Sequence, residues 1–226
     1  LLLVVVIALM AYICTMSILT PIRFDAEKAK RDKAVIQNLI DIRNVQIEYK
    51  KLHGFYCVNP DTLVDFIENG KVPMVLKEGT LTDDQLKNGL TEAKAVAIVR
   101  RGNAKEIAEN GLEGFRRDTA YVTVYESLFK EKYDLERAKS IINVPFSDNE
   151  RFAFDTASFT NVNTGIVTPL VQVGTSYDSY LGDLNHQQLV NLKDKEGKLQ
   201  ELKEDQFIGL RFGSVKESNN NTGNWE

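Results

Sequence analysis

The sequence predicts an α+β protein: an N-terminal transmembrane helix continuing into a long amphipathic helix, packed on a mainly antiparallel β-sheet with short inserted helices. Three observations predict it. Leu1 to Thr20 is an unbroken apolar run, and the first charge in the chain is Arg23. From Phe24 to His53 the apolar residues recur at helical spacing. Beyond Thr119, short stretches alternate apolar and polar residues between turn-forming clusters, the pattern of half-buried strands.

The apolar run comes first. About 20 residues at ~1.5 Å per residue cover a ~30 Å hydrocarbon core. Its Leu, Ile and Val residues favour insertion by about 4 kcal/mol on a translocon-type scale. A secretory signal peptide is disfavoured, because the apolar run is too long and no A-x-A-like site precedes Pro21. A soluble core helix rarely lacks polar residues for so many turns. The chain opens on Leu1 rather than Met, which reads as a processed or trimmed N-terminus. Cys14, in the context Ala11-Tyr12-Ile13-Cys14, is not expected to carry a lipid. The residues assigned to packing within the membrane are Val5, Ala8, Ala11 and Ser17, since small side chains let helices approach closely in lipid.

Thr20-Pro21 is expected to break or kink the helix. A second helix then runs from Phe24 to His53. Val35, Leu39, Ile42, Gln46, Tyr49 and His53 recur along it, with Ile36, Ile40 and Ile47 beside them. Val35, Leu39, Ile42 and Tyr49 are assigned to helix-to-domain packing. Asp25 to Lys33, nearly all charge and alanine, is expected to be an exposed stalk between bilayer and domain. Gly54 supplies the stop.

Asn59-Pro60-Asp61-Thr62 reads as an N-cap with proline at the first helical position, starting a short helix that ends at Asn69-Gly70. Lys71 to Leu76 is a strand. Thr80 to Asp84 and Thr91 to Lys94 start two short helices, and Ala104 to Glu109 is another. Thr119–Glu126, Ile141–Pro145, Arg151–Phe159, Ile166–Val173 and Phe207–Val215 read as strands, with a helix over Asp183–Leu192. The organisation is therefore an anchor at 1–22, a helical stalk and packing helix at 23–53, a soluble α+β domain at 54–217, and a flexible polar tail at 218–226.

Composition excludes several functions. Of 226 residues, 43% are hydrophobic, enough for a core outside the anchor. Net charge is −4 and no basic stripe interleaved with aromatics occurs, which disfavours nucleic acid. Cys14 in the anchor and Cys57 outside it are not expected to pair. His53 and His186 are the only histidines, and no C-x-x-C, H-E-x-x-H or Walker motif occurs. Gly213-Ser214 lacks the flanks of a nucleophile elbow. The acidic pairs Asp83/Asp84, Asp148/Glu150 and Asp178/Asp183 read more simply as helix starts and solvated turns than as catalytic carboxylates. Asp183, Asn185 and Asn219 to Asn221 offer oxygens for Ca²⁺ but match no dedicated loop, and Asn220-Asn221-Thr222 fits a glycosylation sequon. No cofactor, metal or catalytic residue is assigned.

The most distinctive stretch is Asp41-Ile42-Arg43-Asn44-Val45-Gln46-Ile47-Glu48-Tyr49-Lys50-Lys51-Leu52-His53-Gly54-Phe55-Tyr56, followed by Leu63 to Ile67. It resembles the end of the long N-terminal helix of bacterial type IV pilins and type II secretion pseudopilins, over roughly the first 70 residues. The resemblance implies a non-enzymatic, single-pass inner-membrane subunit. Its helix would be both anchor and assembly element, and its soluble domain periplasmic or extracytoplasmic. Its partners would be homo- or hetero-oligomeric envelope subunits reached through the transmembrane helix, and the lipid bilayer. Where filament pilins usually carry a glutamate early in that helix, this chain has Val5. The same residues also fit a non-polymerising single-span scaffold of an envelope complex. Arg23, Lys28, Lys30, Arg31 and Lys33, interleaved with Asp25, Glu27 and Asp32, would by the positive-inside rule place the domain side in the cytoplasm, opposite to the family's orientation.

Overall fold

A computed structural model describes residues 2–160, 165–201 and 207–226. One helix, α1 (Leu2–His53), runs without interruption from the apolar run into the domain. Pro21 lies inside it, so the expected break is not observed. Proline leaves the Ser17 carbonyl without its usual i+4 donor, but the flanking apolar turns keep helical geometry. The helix stops at Gly54, whose φ of +82° suits glycine and whose N–H donates to the Lys50 carbonyl at 2.8 Å.

The fold is α+β. α2 (Pro60–Asn69) begins where the Asn59 side chain accepts from the Asp61 N–H, and it buries Leu63, Phe66 and Ile67. β1 (Lys71–Glu78) pairs antiparallel with β2 (Arg116–Thr123), from Lys71 opposite Thr123 to Glu78 opposite Arg116. At the far end of this ribbon sits a lobe of three short helices, α3 (Asp83–Lys87), α4 (Glu92–Arg101) and α5 (Ala104–Glu109). The lobe has a small core of its own, built from Leu90, Ala95, Ile98, Leu112 and Phe115. After β2 come α6 (Val124–Leu128), α7 (Leu135–Lys139) and a 3₁₀ turn at Ser140–Ile142.

A second, separate sheet follows. β3 (Ala153–Thr160), β4 (Val167–Ser176) and β5 (Gly209–Gly213) lie in that order, antiparallel throughout. α8 (Tyr177–Leu181) and α9 (His186–Glu201) separate β4 from β5. The main core forms where α1 meets α2, α6, the 3₁₀ turn, α8 and the inner face of β4–β5. Val35, Leu39 and Ile42 are fully buried in it and Tyr49 nearly so. Each such aliphatic side chain contributes about 1.5–3 kcal/mol over its exposed state.

Several sequence expectations are corrected. Strand Thr119–Glu126 ends at Thr123, because Thr123 and Glu126 close a capping box that starts α6. Ile141–Pro145 is not a strand: Ile141 and Ile142 sit in the 3₁₀ turn, and only Asn143 bridges, to Arg151. The helix expected over Asp183–Leu192 is α9, which starts at His186 and runs on to Glu201, and a separate short helix, α8, precedes it. The single sheet is two sheets.

The flexible tail at 218–226 is instead folded against the domain. Gly223 bridges to Phe212, the Gly213 N–H donates to the Thr222 carbonyl at 3.0 Å, and the Asn224 N–H donates to the Arg211 carbonyl at 3.0 Å. Trp225 packs on the main core and Glu226 pairs with Arg43 at 2.6 Å. Gly213 permits this turn: its φ is +72°, and an added Cβ would lie 2.0 Å from the Val171 carbonyl oxygen.

Candidate functional site

The candidate functional feature is α1. Its N-terminal half holds one stretch long and apolar enough to cross a membrane, with mean hydropathy 2.4 over 18 residues, none of them buried. Val5, Ala8, Ala11 and Ser17 are all exposed. On an unbroken helix of about 100° per residue they do not share one face. Ala8 and Ala11 are turned away from the domain, and Val5 lies on the flank, on the meridian of buried Asp41. Ser17 falls on the opposite meridian, in line with the buried residues Phe24, Val35 and Ile42.

In the C-terminal half, the domain grips α1 through polar as well as apolar contacts. Asp25 to Lys33 is not a wholly exposed stalk. Phe24 and Arg31 are buried, and Lys28 and Asp32 are half-covered. The Arg31 guanidinium donates to both carboxylate oxygens of Asp183, one at 2.8 Å, and to the Tyr180 carbonyl at 2.7 Å. It also lies 5.0 Å over the Phe146 ring. The Tyr180 hydroxyl donates to Asp32 at 2.7 Å, and Asp32 accepts from Lys28 at 2.5 Å.

Further along, the Asn38 amide donates to the Asn143 carbonyl at 3.2 Å and accepts from Arg137 at 2.5 Å. Asp41 accepts from the Tyr133 hydroxyl at 3.1 Å. Gln46, fully buried, donates to the Cys57 carbonyl at 2.6 Å and accepts from the Cys57 N–H at 2.9 Å. These bonds fix both the rotation of α1 and its axial position in the domain, which apolar packing alone specifies weakly.

The electrostatics follow the geometry. The hydrogen bonds from Arg31 hold the Asp183 carboxyl below the usual carboxylate range, and those same bonds raise Arg31. Burial, reinforced by the Asp32 carboxylate, pushes the phenols of Tyr180 and Tyr177 well above the usual tyrosine range. Burial also pushes the Cys57 thiol up, so it stays protonated at neutral pH.

The other candidates disperse. Asp178 pairs with Lys193 at 2.7 Å, Asp183 with Arg31, and Asp83 and Asp84 occupy the first turn of α3. Asn221 donates to the Tyr56 hydroxyl at 2.9 Å and Asn219 faces Thr222, so the tail asparagines do not converge on Asp183. His53 stacks on Tyr49 with ring centroids 4.1 Å apart. Cys14 and Cys57 are both free thiols. Among the described residues, no group of three or more His, Cys, Asp or Glu side chains could hold a metal ion. Sequence reasoning missed Arg31, Asn38 and Asp41 as buried contacts. For Arg31 and Asn38 the available signal was positional, since both fall beside the meridian of Val35 and Ile42, whereas Asp41 lies about 100° away from Ile42 and carried no such signal.

No protein-family model, curated protein or solved structure matches the chain.

Proposed function

We propose that the chain is a membrane-anchored structural subunit of a bacterial envelope filament or secretion assembly, pseudopilin-like and without catalytic activity. One observation carries the reading: a single helix is a bare apolar rod over its first half and the central core element of an α+β domain over its second. A segment that only tethered a domain would not need to be its core. The motif from Asp41 to Tyr56 supports the same reading. In it, the protein is a single-pass inner-membrane protein with a periplasmic or extracytoplasmic domain. Val5, Ala8 and Ala11, all exposed on the apolar half, meet neighbouring helices of sibling subunits.

A second reading, a non-polymerising scaffold in a static envelope complex, is favoured by Val5, an apolar residue where filament pilins usually carry an acid. Photo-crosslinking in native membranes separates them, with the crosslinker at Val5 and separately at Met16, three turns on along the same meridian. The first reading expects a ladder of self-adducts; a single adduct with a different protein would replace it with the second. Replacing Ala8 and Ala11 by Leu is expected to abolish the ladder. Normal assembly in that variant would overturn the packing role of these residues.

A further inference from the structure

Where α1 leaves its apolar half, a groove of about 590 Å³ opens between Thr20–Glu27 and the α8–α9 turn at Leu184 and Asn185. We propose that this groove seats the headgroup phosphate and upper acyl chain of a bilayer phospholipid, so that the domain rests directly on the membrane surface. The inference rests on the membrane-anchored reading and adds a partner and a contact surface to it.

The position is set by charge. Arg23 is the first ionised side chain after the apolar run, so it marks the hydrocarbon boundary on the domain side. The headgroup layer extends about 5–7 Å beyond that boundary, or four to five helical residues at ~1.5 Å each. The wall from Thr20 to Glu27 lies across this layer, and the α8–α9 turn faces it at the same height.

The lining suits a phosphate ester with a chain attached. Arg23 pairs with no carboxylate among the described residues, because Glu27, one turn on, is taken by Arg31 at 3.3 Å and Lys30 at 3.6 Å. The Asn185 carbonyl oxygen is occupied by the Gln188 N–H at 3.1 Å, which leaves its amide N–H₂ to donate, with no partner among the described residues. Two donors without acceptors therefore flank one groove at headgroup depth, and phosphate oxygens satisfy both. Phe24 and Leu184 give the groove apolar lining for the upper part of an acyl chain.

The test uses the full chain in phospholipid nanodiscs. Trp225 is the only tryptophan, so Trp225→Phe clears the background and Leu184→Trp reports the groove. Quenching is read with a nitroxide on the headgroup and, separately, with bromines on the acyl chains. Tyr12→Trp in the anchor is the control, expected to respond to the brominated chains. Leu184→Trp is expected to lose about half its fluorescence to headgroup nitroxide, and to recover much of it when Arg23→Glu is added. Ala26→Trp, on the α1 wall of the groove, gives the same reading if Leu184→Trp misfolds. Unquenched Leu184→Trp and Ala26→Trp beside a quenched Tyr12→Trp would overturn the lipid seat and leave the anchor standing. An unquenched Tyr12→Trp would overturn both.

Discussion

At the residue scale, the weight falls on polar side chains buried along α1. Gln46 satisfies both the N–H and the C=O of Cys57 from a fully buried position. Gln46→Ala orphans both groups, and we expect a loss of about 2–3 kcal/mol in urea unfolding. An unchanged midpoint would mean that the Cys57 backbone finds other partners. Asp183 makes a pH prediction. Its folded-state pKa lies below the ordinary value of 3.8 because of Arg31. Its contribution is therefore present above that ordinary value and is lost as pH falls through the folded pKa. Asp183 is largely exposed, so the contribution is small. Asp183→Asn is expected to lower the melting midpoint slightly at pH 7 and to lose that difference as pH falls below about 4, read as melting midpoint against pH. The apolar positions on α1 were readable because spacing alone sets which of them share a face. Arg31, Asn38 and Asp41 were not, because a polar residue is buried only if its partner arrives. Those partners, Asp183, Asn143 and Tyr133, come from about 90 to 150 positions away.

At the element scale, local chemistry decided some boundaries and tertiary context the others. Caps at Asn59, Thr82, Thr91 and Asn103 start their helices by bonds within three residues, which a sequence displays directly. Ile141 to Pro145 looked like a strand because a short apolar run does not distinguish a buried turn from a strand. Pro21 was expected to break α1 because proline removes one bond, but the loss of one bond does not force a break in so long a helix. The polar tail was misread for a related reason: composition marks solubility, not whether an exposed strand edge lies within reach. Here β5 offers that edge to Gly223 and Asn224, and Trp225 closes the end of the core. Ending the chain after Glu217 is expected to lower the melting midpoint by about 5 °C or more, through lost tryptophan burial and a bared strand edge. A truncated chain that melts at the same temperature would show the tail to be idle.

At the scale of the whole molecule, α1 joins two environments that most proteins keep in separate segments. Its apolar half has no protein partner among the described residues, and its other half is held in fixed rotation by Arg31, Asn38, Asp41 and Gln46. Rotation of the apolar half about the helix axis would therefore be carried to the elements that pack on the other half, α2, α6, α8 and β5. That architecture, a helix long and apolar enough to span a membrane followed by an α+β domain, was legible from hydropathy and periodicity. The division into two sheets and the separate lobe core were not, since strand partners are set by long-range contacts.

The central claim is that bilayer anchor and domain core are one straight, continuous helix. Pulsed electron–electron distance measurement in nanodiscs tests it, using spin labels at native Cys14 and at Leu52→Cys, with Cys57→Ser to clear the buried thiol. A continuous helix predicts a narrow distribution near 57 Å for this 38-residue separation at ~1.5 Å per residue. A broad distribution centred well below about 50 Å would place a hinge at Pro21 and contradict the account.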